Sequence, residues 1–154
     1  MKNCKLSWIL VVVLALIVAV FAYKFTAGSV KPSDDGRLAV KLSKDERNAL
    51  LLEMRVWLQS SQSVLAAVAI KDFDEVARVA KVSGMAAEAD TPGSLFAKIP
   101  LEMKKLGFDT RSKFDAIAAD ASKKNSEHTI NQLSIAMQNC IACHATYAFV
   151  KEDQ

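Results

Sequence analysis

An unbroken apolar segment near the amino terminus constrains this chain more than any other feature. The 18 residues from Leu6 to Tyr23 contain 17 apolar side chains and no charged one. As a helix they would span about 27 Å at about 1.5 Å per residue, which approaches the ~30 Å thickness of a bilayer's hydrocarbon core. We therefore predict a membrane segment over residues 1–23, in which residues 6–23 cross the membrane.

The basic residues before this segment predict its orientation. Lys2 and Lys5 favour a cytoplasmic amino terminus, so in a bacterium the rest of the chain would lie on the periplasmic side of the inner membrane. A basic start, an apolar run and small residues also describe a cleaved secretory signal, and Val20-Phe21-Ala22 would suit cleavage. Cleavage would leave a soluble periplasmic protein, so both alternatives export residues 24–154. Cys4 precedes the segment, and we expect it to be inert.

The exported part has the size and charge of one soluble domain. The chain has 154 residues with 20 Lys and Arg against 17 Asp and Glu; without Lys2 and Lys5, 18 basic residues remain against 17 acidic ones. Nucleic-acid binding needs a basic face that displaces counterions. A near-neutral domain therefore argues against a nucleic-acid partner.

Helical periodicity dominates the exported part. Residues 24–42, with Gly28, Pro32 and Gly36, show no such period and predict a flexible tether. Ser43 and Glu46 have the spacing of a capping box, which predicts a long helix from Ser43. A second helix is predicted from Asp72 to about Ala87.

Two further helices are predicted after a break at residues 91–100, which contain two prolines and a glycine. The third runs from about Asp109, after Gly107, to Lys124, and the fourth starts near Ser126 and includes Tyr147 and Ala148. No stretch alternates clearly enough to predict a strand. We therefore expect an all-α fold, an antiparallel four-helix bundle over residues 43–154 preceded by the membrane helix.

The sequence Cys140-Ile141-Ala142-Cys143-His144 has the C-x-x-C-H pattern of covalent c-type haem attachment. On a helix, residues i, i+3 and i+4 share a face. Both thiols can therefore bond the vinyl groups of one porphyrin while the imidazole of His144 binds its iron. The pattern predicts one covalent haem c, held by Cys140 and Cys143, with His144 as the proximal iron ligand on the core-facing side of the helix.

Other uses of these cysteines fit less well. A structural zinc site needs four ligands, and His128 lies 16 residues before His144, roughly 24 Å away along the same helix. We expect His128 to face solvent. A thioredoxin-like dithiol belongs to a βαβ context, which this sequence does not suggest. A local disulfide would leave a core-facing His144 without a role.

With C-x-x-C-H on the last of four helices, residues 43–150 resemble the cytochrome c prime family, the class II c-type cytochromes. The resemblance implies that Cys140 and Cys143 form the thioethers, that His144 is the proximal ligand, and that Tyr147 matches a tyrosine of the family motif. Ala148 stands where the family has an arginine. The contact of that arginine with a haem propionate would then pass to Lys151, Arg47 or Arg55.

The sixth iron position decides between two functions. A methionine thioether there suits electron transfer, and an open position suits gas binding. Helix order and the resemblance both favour Met54 as the distal ligand, with Trp57 and Leu58 beside the porphyrin. Met85 and Met103 share that level of the bundle and stay open as alternatives. Met137 is excluded, because it lies two turns before His144 on the proximal helix.

These features predict a membrane-tethered mono-haem cytochrome that transfers single electrons, with a binder of nitric oxide or carbon monoxide as the alternative. The predicted partners are redox proteins of the membrane or periplasm, and the resemblance also allows a homodimer. We expect Lys104-Lys105 and Lys123-Lys124 to lie on solvated faces. We find no enzyme signature, and we expect little room between the helices for a substrate pocket.

Overall fold

The computed structural model describes residues 2–152, and the side chains of residues 7–87 and 91–152 within them. Across the chain, 76 % of residues are helical. The described part contains six α-helices and three strands, in the order α1 Lys2–Ala27, β1 Val30–Pro32, β2 Leu38–Leu42, α2 Lys44–Ala69, α3 Phe73–Lys81, α4 Gly93–Lys98, α5 Leu101–Asp120, α6 Ser126–Thr146 and β3 Tyr147–Lys151. Short 3-10 helices cover Met85–Asp90 and Ala121–Lys123. Cys4 lies in α1, but its side chain is outside the described ones.

Helix α1 has the length and apolarity of a membrane span or a signal sequence. Its segment Ser7–Ala27 has a mean hydropathy of 2.6, and the most apolar stretch is not buried by the rest of the protein. The carboxyl end of the helix contacts the domain. The Ser29 amide donates to the Lys98 carbonyl oxygen at 2.7 Å, and the Phe25 ring lies 6.1 Å from the Phe96 ring.

Two predicted helix starts are confirmed by their caps. The Ser43 hydroxyl accepts from the Glu46 amide, and the Glu46 carboxylate accepts from the Ser43 amide at 2.8 Å, so α2 begins with the predicted capping box. Asp72 caps α3 by accepting from the Glu75 amide. Helix α3 nevertheless ends at Lys81 rather than near Ala87. Beyond it, the Asp115 side chain lies against Gly84 and accepts a hydrogen bond from the Met85 amide at 2.9 Å.

The predicted break and third helix need correction. Residues 93–98 form the short α4, and α5 begins at Leu101, not near Asp109. Gly107 lies inside α5, so its low helix propensity does not end the helix. Helix α6 begins at Ser126 as predicted, with the Asn125 side chain accepting from the His128 amide at 3.0 Å.

A small sheet replaces part of the predicted tether, so the prediction of a strandless exported part is wrong. Strand β2 pairs antiparallel with β1 and parallel with β3, with Leu38 opposite Tyr147. Val40 and Leu42 are fully buried. Tyr147 and Ala148 therefore belong to β3 rather than to α6. No local pattern encodes the pairing of β2 with β3, because these two strands lie more than one hundred residues apart.

Two apolar clusters stabilise the domain. The first contains residues of α2, α3, α5 and α6 around Phe114, Ile117 and Leu133. The second joins the sheet to Leu50, Ile99 and Met103, with Cys143 packed against its edge. The second cluster therefore borders the turn that carries the C-x-x-C-H motif.

Candidate haem-binding site

A cavity of about 480 Å³ opens between α2, α4, α5 and α6. Its volume is typical of pockets that bind small molecules and cofactors. Its lining is mainly apolar and includes Leu50, Trp57, Leu58, Phe96, Leu106 and Phe108. The expectation of little room between the helices is therefore wrong, since α4 and the first turns of α5 widen the space beside α2 and α6.

Cys140, Cys143 and His144 all line this cavity from the last two turns of α6. Both cysteines are half-buried free thiols. His144 is exposed as well as lining the cavity, so it lies at the rim and not in the core as expected. Two thiols and an imidazole at one end of an apolar cavity are the protein groups that a covalently attached haem requires.

The environment of the thiols bears on their chemistry. Burial raises the pKa of the Cys143 thiol to about 11, with a smaller contribution from Cys140. Burial also raises the pKa of Cys140. Redox-active dithiols have lowered pKa values, because the thiolate is the reactive form. The surroundings of this pair thus differ from those of a thioredoxin-like site.

A zinc site gains no support from side-chain positions. No group of three His, Cys, Asp or Glu with metal-binding geometry occurs among the described residues. His128 does not line the cavity. Its Nε2 lies 2.9 Å from Asp120 Oδ2, and the side chain is partly exposed.

The methionines differ in their relation to the cavity. Met54 lines it, is partly buried and belongs to neither apolar cluster. Met103 also lines it but is a buried member of the second cluster, so its side chain already has packing partners. Met85 is exposed and does not line the cavity. Met137 lines it from α6, the helix that carries His144.

The charged residues of the cavity wall were largely missed by sequence reasoning. Of the expected propionate partners, Arg55 lines the cavity, whereas Lys151 and Arg47 do not. Arg111 is buried, forms an ion pair with Glu53 and lies with its Cζ 5.5 Å from the centroid of the Trp57 ring.

Lys104 also lines the wall and is only 5 % exposed, so its assignment to a solvated face was wrong. Its neighbour Lys105 has a side chain that is 60 % exposed, as expected. Adjacent residues on a helix point about 100° apart, and a pair of lysines gives no signal of which one is buried.

No family model, no curated protein and no solved structure matches this chain. The resemblance to the cytochrome c prime family therefore remains a prediction, resting on the C-x-x-C-H motif and its helical context.

Proposed function

We propose that this protein is a membrane-tethered mono-haem c-type cytochrome that transfers single electrons. The observation that carries the proposal is the shared position of Cys140, Cys143 and His144 on the wall of one apolar cavity. A porphyrin is apolar over both faces, which suits this lining. In this proposal α2, α3, α5 and α6 are the four helices of a cytochrome c prime-like bundle, to which the sheet and α4 are additions.

Each residue of the site has a defined task in the proposal. Cys140 and Cys143 would attach the porphyrin through thioethers, and His144 and Met54 would bind its iron. Bound haem would supply a centre that accepts and donates one electron. The apolar residues of the cavity wall would contact the porphyrin, and His/Met ligation would suit electron transfer.

The proposed location is the periplasmic side of a bacterial inner membrane, with α1 as a single-pass anchor and its amino terminus in the cytoplasm. Support comes from the apolar, unburied segment Ser7–Ala27 of α1 and from Lys2 and Lys5 before that segment. A soluble periplasmic form after cleavage is the alternative. The proposed partners are redox proteins of the membrane or periplasm, and a homodimer is compatible with the exposed Leu52, Leu58 and Leu65 of α2.

Covalent attachment is tested first. The protein is produced with a c-type maturation system, extracted with acidified acetone and weighed by mass spectrometry. We expect the haem to stay with the protein and to add one haem mass. The Cys140→Ala/Cys143→Ala variant should release its haem into the solvent. Haem loss from the wild-type protein, or a mass showing only a disulfide, would contradict the proposal.

The alternative function is a five-coordinate binder of nitric oxide or carbon monoxide. The apolar residues Leu50, Trp57 and Leu58 on the α2 side favour it, because uncharged diatomic gases suit such a lining. The absorption spectrum of the reduced protein with and without carbon monoxide separates the two functions. A spectrum unchanged by the gas supports electron transfer, whereas a prompt shift supports gas binding.

A further inference from the structure

Lys104 is a buried cation in the wall of the cavity. Its residue is 5 % exposed, and burial lowers the pKa of its ammonium group. The Nζ atom donates to the Phe25 carbonyl oxygen at 3.0 Å. It also lies 3.8 Å from the centroid of the Phe25 ring and 4.7 Å from that of Phe96. The ammonium therefore sits between the end of α1 and Phe96, which itself lines the cavity.

This ammonium has unused capacity to bind an anion. It has three N–H donors, one of which binds the Phe25 carbonyl oxygen, while the Phe25 and Phe96 ring faces contact the cation. Among the described side chains no carboxylate lies within ion-pair distance of Lys104. Arg111, the other buried cation of the wall, is paired with Glu53. The carbonyl oxygen and the two ring faces that contact this ammonium carry no net charge. Because a buried charge without a counter-ion costs several kcal/mol, a cation of this kind suits an anionic ligand.

The helix register puts Lys104 at the level of the haem-binding turn. Asn139 of α6 donates to Asp109 of α5 at 2.7 Å, and His128 contacts Asp120. These pairs show that α5 and α6 run antiparallel. Continued along both helices, the same register brings Lys104 level with His144. A molecule held by the last turns of α6 would therefore reach the part of α5 that carries Lys104.

We infer that Lys104 binds a carboxylate of the cavity's ligand, specifically a haem propionate. The inference rests on the proposed function. It gives Lys104 the role that the sequence analysis assigned to Lys151, Arg47 or Arg55, of which Arg55 lines the cavity but is exposed. Haem combines an apolar ring with carboxylates, which suits an apolar cavity whose wall includes a buried ammonium with no carboxylate partner among the described side chains. The end of α1 then helps to position that ammonium, since the Phe25 carbonyl oxygen and ring hold it.

The test compares two forms of the ligand. The full-length Cys140→Ala/Cys143→Ala variant in detergent is titrated with haemin and with haemin dimethyl ester, whose propionates carry no charge. When Lys104→Met is added to this double variant, we expect haemin binding to weaken about ten- to hundredfold. Binding of haemin dimethyl ester should be unchanged. Lys105→Met, which removes the adjacent exposed charge, should change neither.

Several outcomes would overturn the inference. The propionate contact would be ruled out if haemin bound equally well with and without Lys104. It would also be ruled out if Lys104→Met weakened the binding of haemin and of its dimethyl ester equally. Neither result would contradict the haem site itself. Lys104-dependent binding of oleate, with haemin binding unaffected, would assign the ammonium to a lipid carboxylate instead. Failure of the parent variant to bind either haemin form, with its helix content intact by circular dichroism, would overturn the proposed function together with this inference.

A second measurement tests the inference even if the cysteine variant does not fold. Resonance Raman spectra of the covalent holoprotein report the propionate bending mode directly. That band should shift in Lys104→Met and stay in place in Lys105→Met. An unshifted band in Lys104→Met would overturn the inference independently of the titrations.

Discussion

The side chain of Arg37 donates from Nη1 to the main-chain oxygen of His144 at 3.2 Å. The same nitrogen also reaches the main-chain oxygen of Tyr147 at 3.2 Å. The last carbonyls of a helix have no partner within the helix, and here Arg37 supplies one. The Asp35 carboxylate holds the Arg37 guanidinium in place, with Asp35 Oδ2 accepting from Arg37 Nη2 at 2.6 Å. Hydrogen bonding to Arg37 lowers the pKa of Asp35 to about 2. The segment predicted as a tether thus holds the carboxyl end of α6.

Replacing Arg37 by Ala should loosen this end of α6. The Tyr147 amide donates to the Cys143 carbonyl oxygen, and we expect its hydrogen exchange to become several-fold faster in Arg37→Ala because the neighbouring carbonyls lose their donor. Arg78→Ala is the control, since Arg78 forms an exposed pair with Glu75 on α3. Equal exchange at Tyr147 in wild type and Arg37→Ala would show that the cap does not stabilise the turn.

In the proposed cytochrome, replacing Met54 by Ala should open the sixth iron position. We expect the reduced Met54→Ala holoprotein to bind carbon monoxide promptly and the wild-type protein not to react. Met103→Leu is the control, because it preserves side-chain volume in the second cluster. It should lower the free energy of unfolding by less than about 1.5 kcal/mol. Prompt gas binding by Met103→Leu, with Met54→Ala resembling the wild type, would assign the ligand to Met103.

Replacing Gly28 by Ala should weaken the contact between α1 and the rest of the protein. Gly28 has a φ of 67°, and an added Cβ would lie 2.6 Å from the Lys98 carbonyl oxygen and from the Pro100 nitrogen. We expect the free energy of unfolding, measured by thermal unfolding in detergent, to fall by about 3 kcal/mol. Gly36→Ala shares the positive φ but meets no atom within 4 Å, so it should lose only about 1 kcal/mol. Equal losses would mean that backbone strain alone matters.

Acid should weaken the contact between α2 and α4. Burial raises the pKa of Glu46, but the Lys98 ammonium and the Ser43 amide outweigh it and hold that pKa at about 2. A lowered pKa stabilises the fold above the unfolded value of about 4.5, and this contribution of about 2 kcal/mol disappears as the pH falls from about 4.5 to about 2. Urea unfolding from pH 6 to pH 2 measures it.

The Glu46→Gln variant separates this carboxylate from the other acids of the chain. It should be less stable than the wild type at pH 6 and lose less stability between pH 4.5 and pH 2. Glu75→Gln, at the exposed pair with Arg78, is the matched control and should follow the wild-type curve. Parallel curves for Glu46→Gln and the wild type would contradict the assignment.

The sequence by itself determined the features that depend on near neighbours. The apolar α1, the capping box of Ser43 and Glu46, the Asp72 cap and the start of α6 all follow from residues within a few positions of one another. The face shared by Cys140, Cys143 and His144 follows in the same way from helical spacing. In each case the physical cause is local, either a backbone donor satisfied within one turn or a repeat of 3.6 residues.

Only the tertiary structure decided the features that depend on distant residues. Leu38 pairs with Tyr147, Arg37 reaches His144 and Lys104 is buried under Phe25 because the sheet and α1 pack against the ends of α5 and α6. A lysine in the sequence carries no sign of burial, and a three-residue strand has too few positions to show alternation. These contacts exist because chain segments far apart in sequence exclude water together, and that exclusion shapes the cavity next to the C-x-x-C-H turn.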